Sequence, residues 1–239
     1  MRKLKPTVVL VHGAFADSSS WNDVVGKLQA DGYDVIAASN PLRGLHGDAL
    51  HVRQLVAGID GPVVLVGHSY GGAVITNAAG GLDNVRALVY VAAFMPDGGE
   101  SALELAGKFP GSTLGEVLRP VPVTLADGRE AADLYIEQGR FHHQFAADVP
   151  EGRAVIMAAT QRPVSNVALE DASSTPAWRG IPSWVLIAAQ DRNIPPRTQA
   201  WMAERAGATT VEIDASHAVS VSRPAEVTRL IDAAARATA

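Results

Sequence analysis

The 239-residue sequence predicts an α/β fold whose sheet is mostly parallel. Short apolar runs rich in Val, Ile and Leu recur along the chain, and stretches with helical character separate them. Several of these runs are almost continuously apolar, as expected for strands that helices cover on both faces. Hydrophobic residues make up 47% of the chain and charged residues 19%, which allows a large core and excludes disorder for most of the chain.

Strands and helices are predicted in alternating order. The expected strands are 7–11, 34–38, 62–66, 85–92, 183–188 and 209–213. The expected helices are 20–30, 48–59, 70–79, 195–206 and 224–237. The last two begin at a proline, which favours the first turn of a helix. We therefore expect a sheet of about six strands with helices on both faces.

One interval, residues 95–179, breaks this alternation because it contains no strong strand run. Helical patches at 101–108, 127–138 and 152–159 are interspersed with Pro and Gly. The apolar content of the interval favours a helical cap over the carboxyl edge of the sheet rather than a disordered segment. The predicted organisation is a core of residues 1–94 and 180–239, with a cap or lid inserted at 95–179.

Charge and composition exclude several classes of function. The 20 basic and 25 acidic side chains give a net charge of −5, which provides no electrostatic basis for binding nucleic acid. The absence of cysteine excludes disulfides, thiolate nucleophiles, zinc–thiolate sites and iron–sulfur clusters. No run is long and apolar enough to span a membrane, and residues 1–6 contain no signal-peptide core, so we expect a soluble, cytoplasmic protein. Self-association, including a homodimer, stays open.

The candidate nucleophile is Ser69, in the segment Gly-His-Ser-Tyr-Gly-Gly at 67–72. This segment follows a predicted strand and opens a predicted helix. The Gly-x-Ser-x-Gly string alone is a weak motif, but this context fits a sharp turn that projects the serine hydroxyl from the sheet edge. The glycines two residues before and after the serine remove Cβ atoms that would collide there.

A serine nucleophile needs a base and a carboxylate that orients the base. His217, the last of seven histidines, follows the last predicted strand and is the candidate base. Asp191, in the loop after the preceding strand, is the favoured acid, and Asp97 and Asp214 are the alternatives. We expect the backbone amides of Tyr70 and Ala14 to stabilise the oxyanion, with Phe15 as the substitute for Ala14.

Other residues have secondary predicted roles. His12 is expected to hold the loop after the first strand by hydrogen bonding. The adjacent His142 and His143 do not suit a shared metal, because neighbouring residues on a helix point about 100° apart. No metal or cofactor is expected. The candidate pocket residues are Phe15, Tyr70, Phe94, Met95, Phe141 and Met157.

Four segments in order identify a family resemblance: Val-His-Gly-Ala-Phe at 11–15, the segment 67–72, Gln-Asp-Arg-Asn-Ile-Pro-Pro at 190–196 and Ala-Ser-His-Ala-Val at 215–219. The chain resembles the α/β-hydrolase superfamily over nearly its whole length outside the cap. It is similar to the small cofactor-free branch of plant methyl-ester esterases, hydroxynitrile lyases and related bacterial esterases.

That resemblance implies an α/β-hydrolase fold, a triad of Ser69, Asp191 and His217, oxyanion donors at Ala14 and Tyr70, and a helical cap over the pocket. Because only about six residues precede the first strand, we expect the leading antiparallel strands of longer members to be missing.

Within that superfamily, the residues narrow the expected chemistry. Dehalogenases and epoxide hydrolases of this fold have an aspartate where Ser69 stands, which disfavours both activities. Hydroxynitrile lyases have a lysine and a threonine where this chain has Ala218 and Gly13, which disfavours cyanohydrin cleavage. We expect a serine hydrolase that cleaves a small carboxylic ester through an acyl-enzyme, with water as the second substrate. The alternatives are a lactone, thioester or C–C bond hydrolase, a perhydrolase, and a receptor-like binding protein with weak turnover.

Overall fold

The structure, a computed structural model, describes residues 5–239. Residues 1–4, to which the expectation of no signal peptide partly refers, lie outside the described residues. The strands are β1 (Thr7–Val11), β2 (Val35–Ala38), β3 (Val63–His68), β4 (Val85–Val91), β5 (Leu118–Thr124), β6 (Glu130–Ile136), β7 (Val164–Ser165), β8 (Ser183–Ala188) and β9 (Thr209–Ile213).

The α-helices are α1 (Asn22–Ala30), α2 (Leu45–Ala57), α3 (Tyr70–Ala78), α4 (Ala102–Ala106), α5 (Gln138–Phe145), α6 (Glu151–Thr160), α7 (Asn166–Glu170), α8 (Pro196–Arg205), α9 (Val219–Ser222) and α10 (Pro224–Ala237). Three short 3-10 turns are Ser18–Trp21, Leu114–Val117 and Ala177–Arg179. The predicted bounds of the sheet strands and their helices agree with the structure to within three residues.

The main sheet is entirely parallel and has six strands in the order β2-β1-β3-β4-β8-β9, which confirms the predicted architecture. Successive residues of each strand point to opposite faces of the sheet. Both faces are apolar, because helices cover each of them. Val9, Val11 and Leu65 belong to the core layer with α2, α3 and α8, whereas Val8 and Leu10 belong to the layer with α1 and α10. Since Val11 pairs with Gly67, the ends of β1 and β3 lie side by side at the carboxyl edge.

The chain between β4 and β8 contains helices α4 to α7, but it also contains an antiparallel sheet in the order β5-β6-β7. The prediction of a helical patch at 127–138 is therefore wrong, since most of it is β6. The Asp127-Gly128 turn, in which Gly128 has a φ of 85°, reverses the chain and pairs β6 with β5. Pro120 and Pro122 obscure β5 in the sequence, and its place at the edge of the sheet explains why they are tolerated.

The inserted segment packs onto the framework instead of standing apart from it. Phe141, Phe145 and Val149 are buried in the same apolar cluster as Leu65 and Val74 of the framework. Among residues 5–239, no helix combines the length and hydrophobicity needed to cross a bilayer.

Candidate active site

Ser69 lies on a strained turn between β3 and α3. Its φ of 54° and ψ of −124° are rare for a residue with a side chain. A Cβ on Gly67 would lie 2.5 Å from the carbonyl oxygen of Gly71, and a Cβ on Gly71 would collide with the carbonyl oxygen of Val11. Only glycine fits at both positions, so the local sequence permits the turn that presents the serine at the sheet edge.

Ser69, His217 and Asp191 form one hydrogen-bonded chain. Ser69 Oγ lies 2.9 Å from His217 Nε2, and His217 Nδ1 lies 2.6 Å from Asp191 Oδ2. All three residues are buried. The three loops that carry them follow β3, β8 and β9, because parallel strands bring their carboxyl ends to one edge of the sheet.

The Asp191 carboxylate accepts four hydrogen bonds. Oδ1 accepts from the backbone N–H groups of Asn193 (2.7 Å) and Ile194 (3.0 Å). Oδ2 accepts from Gln199 Nε2 (2.8 Å) in addition to His217 Nδ1. This donor set suits a carboxylate, which has no proton to donate.

The two alternative acids lie elsewhere in the structure. Asp97 pairs with Arg179 at 2.6 Å on the surface, and Asp214 accepts a hydrogen bond from Gln190. Neither aspartate is bonded to His217, so the geometry favours Asp191.

His68, to which the sequence analysis assigned no role, lies directly against His217. The ring centroids are 4.8 Å apart, and His68 Nε2 donates to the backbone carbonyl of His217 at 2.9 Å. Burial, reinforced by the neighbouring His217, lowers the pKa of His68 to about 3. His68 is therefore neutral at physiological pH and holds the His217 loop through its hydrogen bond to the His217 carbonyl.

The loop after β1 packs tightly against Ser69. A Cβ on Gly13 would lie 2.6 Å from Ser69 Cβ, so no larger residue fits there without movement. His12 holds this loop, because its Nε2 accepts the N–H of Asn40 (3.0 Å) while its Nδ1 donates to the carbonyl of Gly13 (2.9 Å). Burial lowers the pKa of His12, which keeps the imidazole neutral and so preserves this arrangement of donor and acceptor.

The backbone amides of Ala14 and Tyr70, both near Ser69, donate to no acceptor among the described residues. The Phe15 amide instead donates to the carbonyl of Arg162 at 3.1 Å. Ala14 is therefore better suited than Phe15 to stabilise an oxyanion.

The Tyr70 side chain is anchored under the turn. Its hydroxyl donates to Asp48 Oδ2 at 2.8 Å, and both groups are buried. Burial raises the pKa of the Tyr70 phenol and also that of the Asp48 carboxyl. This bond joins α2 to the start of α3, the helix that begins with the Tyr70 amide.

An apolar cavity of about 270 Å³ opens over Ser69 and His217. Of the predicted pocket residues, Phe15, Tyr70 and Phe94 line it. The inserted segment supplies further aliphatic residues, which the sequence did not reveal because they come from separate short elements without a common periodicity. They include Leu103, Leu114, Leu118, Leu134 and Leu169.

Three predicted pocket residues do not line this cavity. Met95 is buried against Met202, to whose sulfur its amide donates. Phe141 stacks on Phe145, with ring centroids 4.9 Å apart, and is fully buried. Met157 lines a different cavity of about 250 Å³, on another side of Phe15.

No three His, Asp or Glu side chains within the described ranges approach closely enough to hold one metal ion. His142 Nε2 lies 2.8 Å from the carbonyl oxygen of Val149, so this nitrogen already has a partner.

A model of the alpha/beta hydrolase family matches residues 8–230. The carbendazim hydrolyzing esterase of Nocardioides sp. (strain SG-4G) is 35% identical over 113 residues, which are 42% of this chain and 47% of that protein. Methylesterase 8 of Arabidopsis thaliana is 31% identical over 143 residues, covering 52% of this chain and 53% of that protein. The matches thus span about half the length of these relatives. The crystal structure of polyneuridine aldehyde esterase, at 19% identity, superposes with a TM-score of 0.83 over 96% of this chain and 99% of that one, which shows the shared fold.

Proposed function

The chain belongs to the alpha/beta hydrolase family, and on this basis we propose that it is a carboxylic ester hydrolase acting through an acyl-enzyme on Ser69. The observation that carries the proposal is the buried chain of hydrogen bonds from Ser69 through His217 to Asp191. Similarity to two proteins named as esterases supports the same class of reaction.

In the proposed mechanism, Ser69 Oγ attacks the ester carbonyl carbon while His217 Nε2 takes its proton. The resulting oxyanion accepts hydrogen bonds from the amides of Ala14 and Tyr70. His217 then returns the proton to the departing alcohol, and the acyl group stays on Ser69. A water molecule, deprotonated by His217 Nε2, then attacks the acyl carbon. The bond from that carbon to Ser69 Oγ breaks, His217 returns the proton to Oγ, and the acid leaves. Asp191 keeps the His217 Nδ1–H oriented throughout.

The contacts of Gly13 and Ala218 support hydrolysis over cyanohydrin cleavage. A threonine at position 13 would drive its Cβ into Ser69, and the amide of Ala218 is bonded to the carbonyl of Phe145 at 2.9 Å. Ala218 brings no cation to the site that could stabilise a leaving cyanide.

We further propose that residues 95–179 act as the cap, because five leucines of this segment line the cavity over Ser69.

We also propose that the ester is uncharged. No Asp, Glu, Lys or Arg of the described residues lines the cavity. Burying a carboxylate there without a partner would cost several kcal/mol. A nitrophenyl isocaproate should therefore be hydrolysed with a kcat/KM at least about 100-fold higher than its shape-matched hemisuccinate.

Replacement of Ser69 by alanine tests the reaction itself. In Ser69→Ala, hydrolysis of nitrophenyl isocaproate should fall by about 10⁴-fold or more, and labelling by a fluorophosphonate should disappear. Ser112→Ala, the same substitution at another position in the cavity wall, is the matched control and should stay within about threefold of wild type. A folded Ser69→Ala protein with the wild-type rate would refute the proposal. A wild-type protein that binds the ester but neither turns it over nor reacts with the probe would be a binding protein.

A further inference from the structure

Helix α5 of the inserted segment contacts the loops of both the acid and the base. Gln144, in its last turn, is 3% exposed. Its Nε2 donates to the carbonyl of Arg192 (2.8 Å) and to Asn193 Oδ1 (3.1 Å), while its Oε1 accepts from Thr113 Oγ1 (2.9 Å). Asn193 Nδ2 donates in return to the Gln144 backbone carbonyl at 3.3 Å.

These bonds act on the peptide that holds Asp191. The backbone N–H of Asn193 is one of the two amides bound to Asp191 Oδ1. The Gln144 side chain donates both to the Asn193 side chain and to the carbonyl of Arg192. It therefore restrains the residues on both sides of the Arg192–Asn193 peptide bond. The orientation of the acid thus depends on a buried amide from the inserted segment.

The next residue of α5 acts on the base. The carbonyl of Phe145 accepts the N–H of Ala218 at 2.9 Å, directly after His217. The Phe145 ring packs edge-on against the His217 ring, with centroids 4.9 Å apart, and the Phe141 ring stacks on the Phe145 ring. Two consecutive residues of one helix therefore contact the two loops that must stay aligned.

We propose that α5 is a fixed clamp, and that Gln144 and Phe145 are positioning residues that keep Asp191 aligned with His217. The inference rests on the proposed function, because the clamp serves the triad. A cap that lifted α5 away would break the Gln144 and Phe145 bonds and disturb both loops. Substrate therefore enters past α4, where Leu103 lines the cavity and is 55% exposed, while α5 stays in place.

Gln144→Met tests the clamp, because methionine has a similar length and fills the space but makes none of the three hydrogen bonds. We expect kcat to fall about 10- to 100-fold with KM within about threefold, since a small misplacement of a catalytic group costs rate rather than binding. The NMR resonance of the His217 Nδ1–H proton should shift or broaden in the same variant. Gln138→Met, the same change at an exposed position of α5, should alter neither quantity.

An unchanged kcat and an unchanged proton resonance in folded Gln144→Met would overturn the clamp. If that variant does not fold, Thr113→Val removes only the bond to Gln144 Oε1, and it should give a smaller loss of kcat and a smaller shift of the resonance. No change in Thr113→Val would then overturn the proposal. The resonance depends on the His217–Asp191 bond and not on turnover, so it separates a failed clamp from a failed esterase assignment.

Discussion

The sheet framework and the inserted segment contribute different parts of the site. In the framework, Ser69, Asp191 and His217 follow the ends of parallel strands, and close backbone contacts at Gly67 and Gly71 constrain the turn at Ser69. In the inserted segment, helices and strands of at most ten residues supply aliphatic walls. Gln144 of this segment donates hydrogen bonds to the framework, and the carbonyls of Phe145 and Arg162 accept them. In the proposed mechanism, the framework thus provides the reacting atoms, and the inserted segment determines which molecules reach them and how firmly they are held.

The two regions differ in how well they tolerate substitution. An extra atom at a framework position such as Gly13 forces its neighbours to move, because they are the backbone of His68 and the Ser69 side chain. A wall position such as Leu103, half-exposed at the mouth, can change without moving the reacting groups. Substitutions in the framework should therefore have large effects on rate, and substitutions in the inserted segment should have graded effects on rate and specificity.

After replacement of Ser69, the largest effect is expected at Asp191. In Asp191→Asn, the side-chain oxygen should keep the two backbone N–H bonds of Oδ1, which places the NH2 group opposite His217 Nδ1. Because that NH2 group can only donate, His217 would carry its proton on Nε2 and could not take the Ser69 proton, so kcat should fall about 10³- to 10⁴-fold. Steady-state kinetics on the folded variant measures this. Asp97→Asn and Asp214→Asn, which replace the two alternative acids, should each stay within about threefold of wild type. A comparable loss in either control would move the acid away from Asp191.

A single carbon at Gly13 should have the next largest effect. The new Cβ in Gly13→Ala would push the Ala14 amide away from the oxyanion, and loss of one such donor lowers kcat about 10²- to 10³-fold. Gly26→Ala in α1 is the matched control, because no atom lies within 4 Å of its added Cβ. Its activity should equal that of wild type. Wild-type kcat in Gly13→Ala would show that the loop does not provide the donor.

The same division explains what could be predicted from the sequence. The turn at Ser69 can be predicted from the sequence, because it needs only glycine at positions 67 and 71, close to Ser69 in the chain. Asp191 and His217 can be predicted because loops that follow parallel strands must meet at the carboxyl edge of the sheet. Each of these predictions needs only the strand order and a residue type.

The secondary structure of the inserted segment cannot be predicted in this way, because it depends on contacts with residues distant in sequence. Residues 130–136 contain Glu, Ala and Leu, which favour a helix, but pairing with β5 makes them a strand. The Asp127-Gly128 hairpin signal is present, yet the prolines of β5 conceal the first strand. Gln144 and Phe145 look like ordinary helix residues until the loops they hold are seen in place.

His68 gives a test on stability rather than rate. Its pKa in the folded protein is about 3, against 6.5 without burial, so only the unfolded state takes up this proton as the pH falls from about 6.5 towards 3. Stability should therefore fall by up to about 1.4 kcal/mol per pH unit in that window from this group, and His12 acts in the same direction. Urea unfolding at neutral and mildly acidic pH should show a shallower loss in His68→Gln. The exposed His143→Gln is the control, and an identical acid sensitivity in His68→Gln would show that His68 is not the buried neutral group.

The smallest effect is expected at the mouth of the cavity, where it bears on the chemistry of the substrate. Leu103→Arg places a cation at a position that is 55% exposed, so it should not disturb folding. It should raise kcat/KM for nitrophenyl hemisuccinate several-fold, in a salt-sensitive manner, because the arginine attracts the substrate carboxylate, and it should leave the isocaproate nearly unchanged. Leu50→Arg adds the same charge at a site on α2 that is 53% exposed and outside the cavity, and it should have no such effect. If both variants respond equally, net charge and not entry past α4 governs the change, whereas a response confined to Leu103 identifies α4 as the entrance.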